Sequence, residues 1–416
     1  MTRALKGYLE SQRQDFLGRC TACGDCFQAC PIVPLTPLKD HRAEQVVGGV
    51  LDVFRGKAPP PDATVWAEAC TRCGVCIECC AEGVNPRKML ALAEGLAHEA
   101  TGARSGNQFF RLMSRNIHLL SGLQLSREHL AGIQGPPDAQ ADVVFYAGCN
   151  LLSNPHIILN VMDVLGALGL DYQVAGGTGY CCGAVHFIGG ELEAAGKVAE
   201  TLYSKLAAFR PQTVLTWCPT CEMHLGEAVS GCEPHEFEVQ HFACFLAERL
   251  DVLRERMTTS IPRRVAVHGH GGHPHIAKSV ERLLGAIPEL VSIELQDGGD
   301  LGYSCNVGGL LRVPSLQSDV QARVLQEARA AGADEIVDVF HGCHRLLWDG
   351  PGGIPVRNFT DLLVEAMGLP AHEDRFQQYR GMPAVEQVVE TAQDLMNENA
   401  IDATDVERAF PGLFQR

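Results

Sequence analysis

The sequence predicts an α/β protein: a helical, cysteine-bearing N-terminal module followed by a tandem repeat of two parallel α/β domains. Three observations carry this. Nine of the eighteen cysteines fall in two tight blocks before residue 90. From residue 142 onward, short apolar strands alternate with long helical stretches, the signature of a parallel sheet. The alternation restarts at residue 263, so segments 142–258 and 263–368 read as an internal repeat.

Composition sets the outer bounds. A chain of 416 residues, 46% apolar and 20% charged, has room for roughly two to three domains and the make-up of an ordinary globular protein. Its net charge of -16, from 34 basic and 50 acidic side chains, opposes a nucleic-acid surface, which needs clustered Lys and Arg. There is no run of about 18 apolar residues, and the opening MTRALKGYLESQRQ lacks the apolar core of a secretory signal. The expectation is a cytoplasmic chain whose thiols stay reduced and hold metal rather than pair as disulfides.

Residues 1–90 form the first module. Cys20-x2-Cys23-x2-Cys26-x3-Cys30 and Cys70-x2-Cys73-x2-Cys76-x3-Cys80 each follow the bacterial two-cluster ferredoxin spacing. In that pattern three close thiolates grip one [4Fe-4S] cubane and the fourth ligates its neighbour. The expected groups are therefore Cys20, Cys23, Cys26 and Cys80, and Cys70, Cys73, Cys76 and Cys30. Zinc knuckles also use C-x2-C, but four cysteines in this strict series make a poor zinc pattern. The second block has Ala81 where the first has Pro31, and Cys79 beside Cys80 leaves two possible ligands there. Fully ligated cubanes have no position for substrate, so the module is expected to relay single electrons.

Residues 91–140 read as a helical connector ending at the turn signal Gly135-Pro136-Pro137. Residues 141–260 and 261–370 are the two repeats. VVFYAGC, DYQVAG, TVLTWC and EFEVQHF are the strands of the first; RVAVHGH, ELVSIEL, EIVDVFHG and IPVRNF are those of the second. Residues 371–416 are a polar tail with a single helical pattern, AVEQVVETAQDLMN.

In the first repeat Cys149, Cys181, Cys182, Cys218 and Cys221 each follow a predicted strand. Open parallel sheets build their sites there, at the carboxyl ends of strands. Five thiolates on one crevice are one more than a cubane uses. The run Trp217-Cys218-Pro219-Thr220-Cys221 alone would suit a thioredoxin-type dithiol, but that motif leaves Cys149 and the Cys181-Cys182 pair unexplained. His186 and His224 nearby are candidates for proton donors to a bound sulfur species, or for groups that merely support the site.

The order of a two-cluster module and then two such repeats resembles the CCG (cysteine-rich) domain proteins of the heterodisulfide reductase type. The likeness runs from residue 14 to about 368. Iron-sulfur subunits of glycolate oxidase and anaerobic glycerol-3-phosphate dehydrogenase share this architecture. The resemblance implies that the five cysteines hold a noncubane [4Fe-4S] cluster at which a disulfide is reduced.

The second repeat departs from that pattern. Aligned by strands, His270 falls on Cys149, Cys305-Asn306 on Cys181-Cys182, and His341 and His344 on Cys218 and Cys221. One thiolate with three imidazoles suits a mononuclear Zn or Fe ion held by His270, Cys305, His341 and His344. A metal-free remnant and a cluster with unusual ligation are the alternatives. His268, His273, His275 and Cys343 crowd the same loops.

The expected function is an oxidoreductase subunit that relays electrons through two cubanes to the five-cysteine centre for disulfide or sulfur-carrier chemistry. The alternative is an electron-transfer adaptor between a flavoprotein 2-hydroxyacid or glycerol-3-phosphate dehydrogenase and the quinone pool. No dinucleotide-binding or phosphate-binding glycine motif occurs, so a flavoprotein or other redox partner subunit is expected to supply hydride chemistry. A membrane-bound quinone-reactive subunit is a further expected partner.

Overall fold

The computed structural model describes residues 2–103, 105–135, 139–269, 272–295 and 313–414. The N-terminal part is helical. Its first helix, Arg3–Arg19, starts at Thr2, whose hydroxyl accepts from the Leu5 N–H at 3.3 Å. Helix Ala43–Phe54 packs on it, and helices Pro61–Ala69 and Pro86–Thr101 pack on Ala43–Phe54 and on each other. Edge-to-face ring pairs Phe16–Phe54 and Phe27–Trp66 fill the space between them, with centroids 5.0 and 5.1 Å apart.

Each cysteine block adopts the same backbone. Residues Ala22 (φ 56°) and Gly24 (φ 95°) are left-handed in the first, and Arg72 (φ 64°) and Gly74 (φ 85°) in the second. Two left-handed residues between three cysteines curl the chain round a point, which is how a short segment can turn three thiols inward. Glycine is required at position 24 for a second reason: a Cβ there would lie 2.6 Å from the Ala43 Cβ.

Two four-stranded sheets follow, parallel throughout. Strands β1 (Val143–Gly148), β2 (Tyr172–Gly176), β3 (Thr213–Thr216) and β4 (Glu238–His241) are ordered β2-β1-β3-β4. Strands β5 (Arg264–His268), β6 (Val291–Glu294), β7 (Glu335–Asp338) and β8 (Val356–Asn358) are ordered β6-β5-β7-β8. All six residues of β1 are buried, as a central strand covered by helices on both faces must be.

The sheets are joined reciprocally. Helix Phe242–Glu248, which follows β4, packs on Pro274–Leu284, which follows β5; helix Phe359–Ala366, which follows β8, packs on His156–Ala167, which follows β1. Trp217 stacks on Phe359 across this interface, 5.5 Å between centroids with planes 4° apart. The segments VQHFACFLAERL and VRNFTDLLVEAM, which close the two repeats, are alike in sequence, and both do the same packing work.

The last 40-odd residues hold more structure than their polar pattern suggests. Helices Arg375–Arg380, Val385–Thr391, Gln393–Asn399 and Ala403–Phe414 share a core with Gly106–Gln124 from the connector. Leu120, Leu123, Tyr379, Met396 and Phe410 are buried there, and the Tyr379 hydroxyl donates to the Leu123 carbonyl at 2.8 Å. Connector and tail make one helical unit closed by residues 256 positions apart. Among the described residues no helix is long and apolar enough to cross a membrane.

Candidate functional site

Cys149 follows the last residue of β1, Cys181 and Cys182 follow the turn Thr178–Tyr180 after β2, and Cys218 and Cys221 flank the start of helix Pro219–Met223 after β3. The carboxyl ends of three neighbouring strands thus bring the five thiols together, all of them buried. Their side chains form an unbroken run of contacts: Cys149 to Cys181, Cys181 to Cys182, Cys182 to Cys221, and Cys221 to Cys218. Gly183 (φ 87°) lets the chain turn so that its N–H donates to the Cys181 sulfur at 3.4 Å.

These contacts separate the thiols electrostatically. Hydrogen bonds from Cys149 and Cys182, with the Gly183 N–H, hold Cys181 well below the usual thiol range. Cys218 is lowered by the Cys221 thiol and by the N–H groups at the start of its helix. Cys149, Cys182 and Cys221 are pushed up by those same partners and by burial. The Tyr146 hydroxyl, 3.7 Å from the Cys221 sulfur, donates to the Tyr180 carbonyl at 2.9 Å and stays protonated because it is buried among thiols.

The two histidines near this crevice differ. Burial pushes His224 down to about 4, so its imidazole is neutral, and it packs on Phe187 at 5.5 Å. His186 is buried with Nδ1 3.2 Å from Glu191.

In the N-terminal module the thiols of the two cysteine blocks lie close together, Cys76 being within electrostatic reach of Cys26. Cys20, Cys23, Cys26 and Cys80 line one pocket and lie within electrostatic reach of one another. Cys30 and Cys76 lie within reach of Cys70 and Cys73, and the Trp66 indole N–H donates to the Cys30 sulfur at 3.5 Å. Burial pushes Cys26 and Cys30 up to about 12. Sulfur in such surroundings is suited to metal, which replaces the proton that desolvation makes hard to lose. Cys79 lines the same pocket, and its thiol donates to the Val75 carbonyl at 3.6 Å. Cys80 is the one that joins Cys20 and Cys26.

Of the four residues expected at the second site, His270 and Cys305 lie outside the described residues, as does Asn306. His341 and His344 sit one turn apart on helix His341–Leu346 after β7. The His341 Nε2 is 3.3 Å from the Asn150 side-chain nitrogen, one residue past Cys149, so this helix abuts the five-thiol crevice. Burial lowers His341 to about 3 and keeps it neutral. His344 points elsewhere, between Asp338 and Asp374, at 2.7 and 2.6 Å. Burial disfavours its charge, but those carboxylates more than reverse this and raise it well above the usual histidine range. Its neighbours His156 and Asp374, 188 and 30 residues away in the chain, gave no signal in the sequence spacing.

Residues 143–226 match the family model of the cysteine-rich CCG domain. The chain is 24% identical over 395 residues to one of the subunits of the dihydromethanophenazine:CoB–CoM heterodisulfide reductase of Methanosarcina mazei, covering 85% of this chain and 94% of that protein. Its namesake from Methanosarcina acetivorans is 23% identical over the same share. One of the subunits of the fumarate reductase (CoM/CoB) of Methanothermobacter marburgensis is 22% identical over 385 residues, 83% of this chain and 71% of that protein.

Proposed function

We propose that this CCG-domain protein, related to the heterodisulfide reductases, is the iron-sulfur subunit of an oxidoreductase that exchanges electrons with a disulfide or sulfur carrier. The carrying observation is the run of five buried, mutually contacting thiols at the ends of β1, β2 and β3. In this reading Cys149, Cys181, Cys182, Cys218 and Cys221 hold a noncubane [4Fe-4S] cluster. Cys20, Cys23, Cys26 and Cys80 hold one cubane, and Cys70, Cys73, Cys76 and Cys30 the other. Bound at these positions, the clusters supply one-electron transfer.

The chain's own groups do the rest. Reducing a disulfide takes two electrons and two protons and yields two thiols. Burial keeps water from the five sulfurs, and the Gly183 N–H and the Tyr146 phenol offer fixed dipoles beside them. A partner protein feeds or drains the electrons; the relatives are each one subunit of a larger reductase, which favours an assembly, and their names share a CoM/CoB pair, which favours thiol chemistry.

The deciding experiment is the iron content of the anaerobically purified chain. About twelve irons are expected for two cubanes and one further four-iron cluster. About eight would remove the five-cysteine centre and with it the disulfide chemistry.

A further inference from the structure

We propose that His156, His344 and Asp374 bind a divalent metal ion, zinc by the chemistry of the donor set, at a site separate from every cysteine centre. This inference stands apart from the electron-transfer reading and shares no ligand with it. Each of the three residues offers one ligand atom, and these atoms all lie within 4.8 Å of one another.

Three parts of the fold meet there. His156 opens the helix after β1, His344 is on the helix after β7, and Asp374 caps helix Arg375–Arg380. His156 is 2% exposed, and neither of its ring nitrogens makes a hydrogen bond. Its nearest carboxylate oxygens, on Asp374 and Asp361, stand off at 3.6 and 4.0 Å. Leaving a buried polar group without a partner is unfavourable, and an imidazole carries two such groups. A metal ion would satisfy one of them.

His344 is oriented as a ligand would be. Its Nδ1 faces Asp338 Oδ2 at 2.7 Å, and Asp338 is itself held by the Asn358 amide at 2.9 Å. That leaves Nε2 presented to Asp374 at 2.6 Å, the carboxylate–histidine–metal arrangement in which the outer carboxylate sets the tautomer. The same Nε2 is 2.8 Å from the Gln377 amide nitrogen. One nitrogen cannot donate to Asp374 and accept from Gln377 at once. Two imidazoles and one carboxylate form a recurrent zinc donor set, with a fourth position left for water. Asp374, whose side chain is 23% exposed, is the side from which an ion enters. Such an ion would clasp both sheet domains to the C-terminal helices.

The test is the zinc content of the full chain, with the zinc K-edge absorption spectrum, which iron does not obscure. About one zinc per chain is expected, with nitrogen and oxygen ligands only and no sulfur near roughly 2.3 Å. His156→Gln and Asp374→Asn should each lose that zinc with iron content unchanged, while His341→Gln keeps it. Loss of zinc should also expose the segment after residue 370 to limited proteolysis. Wild-type chain without zinc, a sulfur ligand in its spectrum, or zinc retained in both variants would overturn the proposal. The wild-type spectrum decides even if a variant fails to fold.

Discussion

Arg87 and Glu227 form a partly buried ion pair that ties the N-terminal module to the first sheet domain. The Arg87 Nε donates to Glu227 at 2.9 Å, and its Nη2 pairs with the second carboxylate oxygen. Its Nη1 reaches the Arg72 carbonyl at 3.1 Å, between Cys70 and Cys73, and the Gly272 carbonyl of the second domain at 2.7 Å. One guanidinium therefore touches three parts of the molecule. Arg87→Met should cost roughly 1.5–3 kcal/mol, because it removes charge-assisted hydrogen bonds from the Glu227 carboxylate. Denaturant unfolding under anaerobic conditions measures it, and the double variant with Glu227→Gln should cost less than the two singles summed.

Cys79 and Cys80 should behave oppositely. Cys80→Ser is expected to lose one cubane, about four irons per chain, and its spectroscopic signal. Cys79→Ser should keep both, since its thiol is engaged with the Val75 carbonyl. Electron paramagnetic resonance of the reduced proteins reads the difference.

Cys182 links Cys181 to Cys221 at the middle of the five-thiol run. Replacing it with Ser should abolish disulfide turnover and remove about four irons while both cubane signals remain. Loss of all signals together, or turnover at the wild-type rate, would refute the assignment.

Gly95 lies where the helix Pro86–Thr101 crosses Ala184–Ile188. A Cβ there would sit 2.6 Å from the Phe187 carbonyl oxygen and 2.7 Å from its ring. Gly95→Ala should therefore destabilise by roughly 1–3 kcal/mol, despite alanine's better helix propensity. A lower unfolding midpoint with unchanged metal content is the expected result.

His98 joins the same two elements and should make stability depend on pH. Its Nε2 is 2.7 Å from Glu68 and its Nδ1 2.6 Å from the Ile188 carbonyl, so both nitrogens donate when it is charged. The Glu68 hydrogen bond raises it above the ordinary value. Its contribution is full below the unfolded value of about 6.5 and is lost as pH rises through the folded one. Unfolding free energies across that window should fall in the wild type and flatten in Glu68→Gln.

Much of this molecule follows from short stretches of chain. The alternation of apolar strands and helices, the two cysteine blocks and the five cysteines after β1, β2 and β3 are local patterns, because strand periodicity and ligand spacing are set by residues a few positions apart. Tertiary structure alone decided the rest. Whether Cys79 or Cys80 faces Cys20 depends on how two distant cysteine blocks dock. That the polar tail buries Tyr379 and Phe410 against the connector depends on a helix more than half the chain earlier. His156, His344 and Asp374 converge only because the two sheet domains exchange helices across Trp217 and Phe359. A sequence displays which residues can bind a metal or fill a core, but the distance between them is fixed by packing, and packing is a property of the whole chain.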